Sequence, residues 1–348
     1  SVSGNVEDQS DSLETAVQTD ASVTSVDYNN LEQLVQNNRS LKNALDNYTS
    51  SRETYENMLK TLEDERDYMK FMQEKYEDDA EAKATYKMNA SMLNMSISQI
   101  TKQLESQESK IQTTSRQKTI DSYVLTAQSL MRTYNQMNTK AQAEEKNYQA
   151  AQSSYQAVLK KQSAGMATAA DVMTASDTMQ SAKNRYESYR QQASNARFNL
   201  LSALGLDTSA DIAIGSVPLP DLSAIDVVDF NSSSVQNARH QSAGTATEIS
   251  VKSDQESQAE GTVRSRMQSL YEQLKAAKLQ YEGAEAAYQS ASITYASLQK
   301  KQQAGMLSQS DYLQGVADYY SALDAKETAV VNLNQAWETY NWTVKGVS

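Results

Sequence analysis

The chain has 348 residues, 39% of them apolar, and its 44 acidic against 32 basic side chains leave a net charge of −12. That balance excludes nucleic acid and an anionic membrane surface as partners, since both demand a basic face. The absence of cysteine excludes disulfides, thiolate metal sites and cysteine nucleophiles.

Two prolines, ten glycines and a mean hydropathy of −0.68 favour long uninterrupted helices over a thick globular core. No run approaches the roughly 18 apolar residues of a membrane helix. The chain opens at Ser1 without methionine, which fits a removed signal or a trimmed chain. Residues 1–27 carry Glu7, Asp8, Asp11, Glu14, Asp20 and Asp27 with no basic residue, and read as a flexible acidic lead-in. A first helical repeat is predicted over 28–206. Leu41, Leu45, Tyr48, Tyr55, Leu59 and Leu62 fall on one seam, with Arg52 as its misfit. Tyr68, Met69, Phe71, Met72 and Tyr76 continue it through a charge-dense stretch. Met88, Met92 and Met95, with Leu93, Ile97, Ile100, Leu104 and Ile111, extend it as adaptable core packing. The polar run from Glu105 to Lys118 marks a bend.

The heptad signal is strongest from Ile120. Leu130, Tyr134, Met137, Ala141, Tyr148, Ala151, Tyr155 and Val158 lie four and three apart, with Glu144 the one polar intruder. Lysines Lys160 and Lys161, then Gly165 and Met166, read as a helix end: cations meet the negative pole, glycine takes the left-handed position, and methionine folds back on the turn. Thr168 then offers an N-cap hydroxyl, with Asp171 three residues later to complete a capping box. The return seam is Val172, Ala175, Met179, Ala182, Tyr186, Tyr189, Ala193, Ala196, Leu200 and Ala203, stopped by Gly205.

Residues 207–262 read as a linker, holding Pro218 and Pro220, followed by a polar low-complexity segment. The second repeat, 263–348, then copies the first. Leu270, Leu274, Ala277, Tyr281, Ala284, Tyr288, Ala291, Tyr295 and Leu298 form its outgoing seam. Its tip repeats Lys300, Lys301, Gly305, Met306, Ser308 and Asp311, at an offset of 140 (305 − 165). The return seam runs Tyr312, Gly315, Tyr319, Ala322, Ala329, Leu333, Ala336, Tyr340 and Thr343, with Lys326 off pattern. A sustained 3.5-residue repeat means coiled-coil packing. The alternation of large Tyr with small Ala suits a helical wall with one wet side; an ordinary antiparallel coiled coil fits the spacing as well.

Chemistry-bearing constellations do not emerge, so neither an enzyme nor a cofactor or metal site is expected. His240, the one histidine, sits in a polar segment and reads as a bystander. Asp78-Asp79 and Glu144-Glu145 read as solvated helix faces, and Trp337 and Trp342 as packing at the far end of the last helix.

The doubled tip, the heptad limbs, the Leu-Gly helix end and an opening helix at 31–41 resemble the TolC family of outer-membrane efflux proteins, with Arg39 where that family usually has proline. The resemblance covers roughly 28–206 and 264–346. It implies a homotrimer forming a hollow α-helical barrel of twelve helices, a passive exit duct in the cell envelope. It also implies docking, through Gly165, Met166, Gly305 and Met306, on a periplasmic adaptor and an ABC or proton-driven inner-membrane pump. Thr168, Asp171, Ser308 and Asp311 would cap the tips. Asp311 matches the first acid of the family's pore constriction, and Gln314 replaces the next. The strand pairs that build the family's β-barrel are missing from 62–118 and 231–262, as strands need about ten alternating residues; this chain as given is therefore expected not to insert in a membrane. A non-conducting coiled-coil spacer or adaptor-type hairpin protein is the alternative.

Overall fold

The computed structural model describes residues 23–108, 110–242 and 253–347. The fold is all-α, with long antiparallel coiled-coil hairpins in two tandem repeats. The chain enters through β1 (Ser25–Val26), which pairs in parallel with β2 (Ala213–Ile214) in the connection between repeats. Val26 is fully buried. Residues 1–22 of the acidic lead-in lie outside the described residues, whereas 25–26, expected to belong to it, are pinned by ladder bonds and an apolar side chain.

Helix α1 (Leu31–Val35) buries Leu31, Leu34 and Val35. Asn38 then caps α2 (Arg39–Lys75): its side chain accepts from the Leu41 N–H at 3.1 Å and donates to the Ala203 carbonyl at 2.9 Å. Arg39 therefore fills the first helical position, where proline is well tolerated.

The single stripe read from Leu41 to Ile111 is in fact two. The chain reverses after α2, and Asp79 caps α3 (Ala80–Gln107) by accepting from the Ala82 N–H. Asp79 is thus an N-cap and not merely a solvated acid. Tyr55, Leu59, Leu62, Arg66, Met69 and Gln73 are partly buried on α2, as are Tyr86, Leu93, Ile97, Ile100 and Leu104 on α3. These are the facing seams. Met88, Met92 and Met95 are not core: they are 60%, 60% and 66% exposed. A three-four spacing marks a helical stripe but does not say which neighbour covers it.

Helices α4 (Lys110–Ser163) and α5 (Ala169–Ala203) form the first long hairpin. The helix break at residue 108 falls within the polar run expected to bend. Past α5 the chain is held by Arg197, which donates to the carbonyls of Ile212 and Ala210 at 2.6 and 2.9 Å. Then come α6 (Leu222–Asp226), α7 (Phe230–Ser242), α8 (Ser253–Gln303) and α9 (Gln309–Val344). The segment read as polar low complexity is therefore helical over 230–242 and from 253 onward. Its Ser and Gln are adequate helix formers, and α7 packs on α8, burying Asn237 against Met267 and bringing the Phe230 ring, tilted, to 5.7 Å from that of Tyr271. His240 lies on α7, with its side chain outside the described residues.

Packing joins α4 to α5 on one side and to α9 on the other, and α9 to α8, so the long helices stand in a row in the order α5, α4, α9, α8. Having two neighbours explains why α4 buries Ala143 and Ala150 besides the seam residue Ala141. The seam misfits are cross-helix pairs. Glu144 meets Arg185 of α5 at 3.2 Å, and Lys326 meets Glu285 of α8 at 3.0 Å while lying over the Tyr288 ring.

Candidate functional site

Both tips close as the sequence predicts up to a point. Gly165 and Gly305 have φ of 73° and 70°, a conformation that carries little penalty only without a Cβ. In the first tip the Met166 N–H reaches the Lys161 carbonyl at 2.7 Å and the Gly165 N–H reaches Gln162 at 3.0 Å. In the second, Met306 and Gly305 do the same toward Lys301 and Gln302. This nested pair of bonds is the Schellman closure. The methionines do not fold back on it: Met166 is 74% and Met306 73% exposed. With the turn completed by backbone bonds, the thioether side chains are left in solvent.

The caps differ between copies. Thr168 accepts from the Asp171 N–H at 3.1 Å, and Asp171 accepts from the Thr168 N–H at 2.8 Å, a complete capping box. These bonds hold the Asp171 carboxyl below the usual aspartate range. At the second tip only one arm is made: Ser308 accepts from the Asp311 N–H at 3.1 Å. Asp311 and Gln314 are both exposed on the first turns of α9, and Gln314 donates to Asp318 at 3.1 Å. The next acid on α9 after Asp311 is Asp318, one turn beyond Gln314.

The tips stand at different heights. Ser310 of the second tip meets Ser154 of α4 at 3.2 Å, and α4 continues nine residues (163 − 154) to its end at Ser163. At 1.5 Å per residue, α4 runs roughly 13 Å past that contact, so the first tip protrudes beyond the second.

At the opposite end of the row lies a buried polar junction that periodicity did not reveal. Arg132 of α4 donates to Asn334 Oδ1 of α9 at 3.1 Å, the Tyr28 hydroxyl donates to the same oxygen at 3.3 Å, and Asn334 Nδ2 donates to the Pro218 carbonyl at 3.1 Å. Beside them Trp342 Nε1 donates to Gln128 at 2.7 Å. Burial pushes the Tyr28 hydroxyl well above the ordinary tyrosine range and lowers the Arg132 guanidinium. Segments from both repeats and the connection between them meet here. The repeat itself holds the missed signal: Arg132 corresponds to Glu272 and Asn334 to Ser194 at the 140-residue offset, so the copies diverge where they join.

The return helices end alike as well. Gly205 and Gly346 have φ of 65° and 75° and nested closing bonds, at an offset of 141 (346 − 205). Tyrosines line the second hairpin: Tyr295 stacks on Tyr319 at 4.3 Å, and the Tyr288 and Tyr319 hydroxyls lie 3.0 Å apart. That bond, reinforced by burial, pushes Tyr319 up to about 12. Among the described residues there is no cluster of three or more His, Cys, Asp or Glu side chains suited to a metal, and no helix long and apolar enough to cross a membrane.

No family model and no curated protein sequence matches the chain. Solved structures similar to it include a membrane protein from Pseudomonas aeruginosa, at 12% identity over 94% of this chain and 92% of that one, with a TM-score of 0.48. CusC, described with transmembrane channel formation, is similar at 14% identity over 94% and 98%, with a TM-score of 0.47. The Campylobacter jejuni CmeC outer membrane channel is similar at 14% identity over 76% and 67%, with a TM-score of 0.40.

Proposed function

We propose that this chain is the helical part of a TolC-like passive exit duct for efflux or secretion, located in the cell envelope and acting as a homotrimer without catalytic activity. One observation carries the reading. The four long helices form a row whose outer members, α5 and α8, pack on α4 and on α9 respectively, α8 also carrying the short α6 and α7, and exposed Met173 and Phe198 on α5 and exposed Leu279 and Ile293 on α8 leave apolar surface on these outer helices. Counted at helical spacing, Met173 and Phe198 lie opposite the α4-facing residues Ala182, Ala193 and Ala196. A row with two different apolar edges closes by head-to-tail contact, α8 of one copy on α5 of the next, and such contacts make rings when the rotation closes. Three copies of a four-helix row give a twelve-helix wall around an open centre.

The protruding tips are the docking end. Gly165, Met166, Gly305 and Met306 meet the adaptor of an ABC or proton-driven pump, methionine being suited to adaptable contact. Thr168, Asp171, Ser308 and Asp311 hold the turns, and Asp311 with Gln314 narrows the exit. Where the family's first strand pair would stand, this chain has the short turn between α2 and α3, so the channel role named for CusC and CmeC is carried over without bilayer insertion by the described residues. Light scattering on the purified chain tests the assembly. A stable mass of three times 38.5 kDa supports it, and a monomer at high concentration contradicts it in favour of a spacer.

A further inference from the structure

Helix α3 sorts its apolar residues by type. The side facing α2 uses Tyr86, Leu93, Ile97, Ile100 and Leu104, all partly buried. The methionines of α3, Met88, Met92 and Met95, are absent from that side. Counted from the seam at 3.6 residues per turn they lie on the outer face, and all three are exposed. Gap-filling in a core, the common use of methionine, therefore does not account for them.

Their spacing is that of a donor set. Residues three and four apart on a helix are neighbours, with Cβ atoms about 5–6 Å apart, so Met92 stands one turn from Met88 and one turn from Met95. The three fall within about 60° of arc round the helix axis. Each side chain is unbranched, with three rotatable bonds and a polarizable thioether. The outer two can swing toward the middle one and bring three sulfurs onto a single ion.

The surroundings select the ion. From Met88 to Thr101 the sequence has no charged residue, histidine or cysteine, so only the thioethers offer strong donors in that stretch. Hard divalent cations take oxygen ligands, and zinc takes thiolate, imidazole or carboxylate. Thioethers are soft ligands and select Cu(I). Glu81, seven residues before Met88, and Lys102, seven after Met95, share the outer face, each about 10 Å beyond the set along the axis. Their opposite charges offset, which leaves a neutral site open to a cation.

We infer that Met88, Met92 and Met95 form a three-thioether site for a soft monovalent cation, Cu(I) or its analogue Ag(I). All three donors come from one helix of one copy, so the site is independent of the ring reading above.

Silver nitrate in chloride-free buffer is the probe, because Ag(I) keeps its oxidation state on binding and the full chain has no cysteine and one histidine to compete. Calorimetry is expected to give one saturable site per chain. With isotopically labelled methionine, three of the 13 methionine methyl signals are expected to shift together and to saturate at one equivalent. They are the three signals lost in M88L/M92L/M95L. That variant keeps the face apolar and helix-forming; it is expected to match the parent by circular dichroism and to lose the site, which separates the sulfurs from mere apolarity. Met92→Leu alone is expected to weaken binding about tenfold or more, the least that even an outer partner of a metal ligand typically contributes. His240→Gln and M166L/M306L are expected to leave binding unchanged. Parallel, unsaturated shifts at the exposed Met58, Met166, Met173 and Met306 along with the three would mean an adventitious ion only and overturn the proposal. Silver binding retained by the triple leucine variant, or no shift at the three methyls, would overturn it equally.

Discussion

Arg132 of α4 donates to Asn334 of α9 at 3.1 Å, with the arginine 9% and the asparagine 2% exposed. This bond is one of several that join the two repeats, because α4 belongs to the first hairpin and α9 to the second. Asn334 also accepts from Tyr28 and donates to Pro218, so it ties the entry of the chain and the connection between repeats to the same point. Replacing it by alanine leaves a guanidinium without its partner in a desolvated site. The expected loss for Asn334→Ala is about 1.5–3 kcal/mol, the range for hydrogen bonds to charged groups, read from the urea midpoint. The double change Arg132→Met with Asn334→Leu should recover only part of it, since the charged pair is replaced by apolar groups while the Tyr28 hydroxyl and the Pro218 carbonyl still lose their partner.

Gly205 and Gly165 share a left-handed conformation but not its surroundings. A Cβ on Gly205 would sit 2.3 Å from the Asn37 carbonyl oxygen and 2.7 Å from its carbon, both backbone atoms, whereas at Gly165 nothing lies within 4 Å. Gly165→Ala should therefore cost only the conformational penalty, about 1–2 kcal/mol. Gly205→Ala must in addition displace the segment between α1 and α2, and is expected to lower the thermal midpoint clearly more than Gly165→Ala does. Equal midpoints for the two variants would mean that the Asn37 contact is easily relieved.

Asp171 and Asp324 shift in opposite directions, which gives pH dependences of opposite sign. The bonds with Thr168 lower Asp171, so its capping contribution is fully present above the ordinary aspartate range and is lost as pH falls through the lowered value. Burial raises Asp324, opposed by Lys140 at 3.5 Å, so its ionised form is disfavoured in the fold and protonation as pH falls through the raised value is stabilising. Carboxyl NMR titration should place Asp171 below and Asp324 above free aspartate. Thr168→Ala should move Asp171 upward and leave Asp324 in place.

Proline at the tips addresses docking. With φ locked near −65°, proline cannot take the 73° and 70° of Gly165 and Gly305. Gly165→Pro and Gly305→Pro are expected to keep the far-ultraviolet helix signal, because each change lies outside the long helices, while adaptor binding by surface plasmon resonance is lost. Normal binding by both variants would remove the tips from the docking role.

Much of this architecture was legible because it is periodic. The four long limbs followed from Tyr and Ala at heptad spacing, and the tips from lysine, glycine and a capping hydroxyl in fixed order, since local chemistry decides helix ends. What periodicity could not supply was the identity of neighbours. Met88, Met92 and Met95 have the same spacing as Leu93, Ile97 and Ile100, yet only the second group faces α2, because a stripe does not name its partner. The reversal between α2 and α3 escaped notice because its cap is Asp79 amid other acids, with no glycine or proline to mark it. Helix α7 escaped because its anchors, Ser234 and Asn237, are polar residues buried by tertiary packing. Arg132 and Asn334 were invisible as a pair, lying 202 residues apart beside, not on, the seams read as apolar. At the tips the cap residues were legible, but the exposure of Met166 and Met306 was not, since the backbone bonds already complete the turn.

The open centre is the claim on which the duct reading depends, and end-on electron micrographs of the negatively stained protein test it most directly. The account predicts class averages showing a closed ring of helices with three-fold symmetry and a stain-filled centre. Solid end views without a central hole, or two-fold particles, would contradict it.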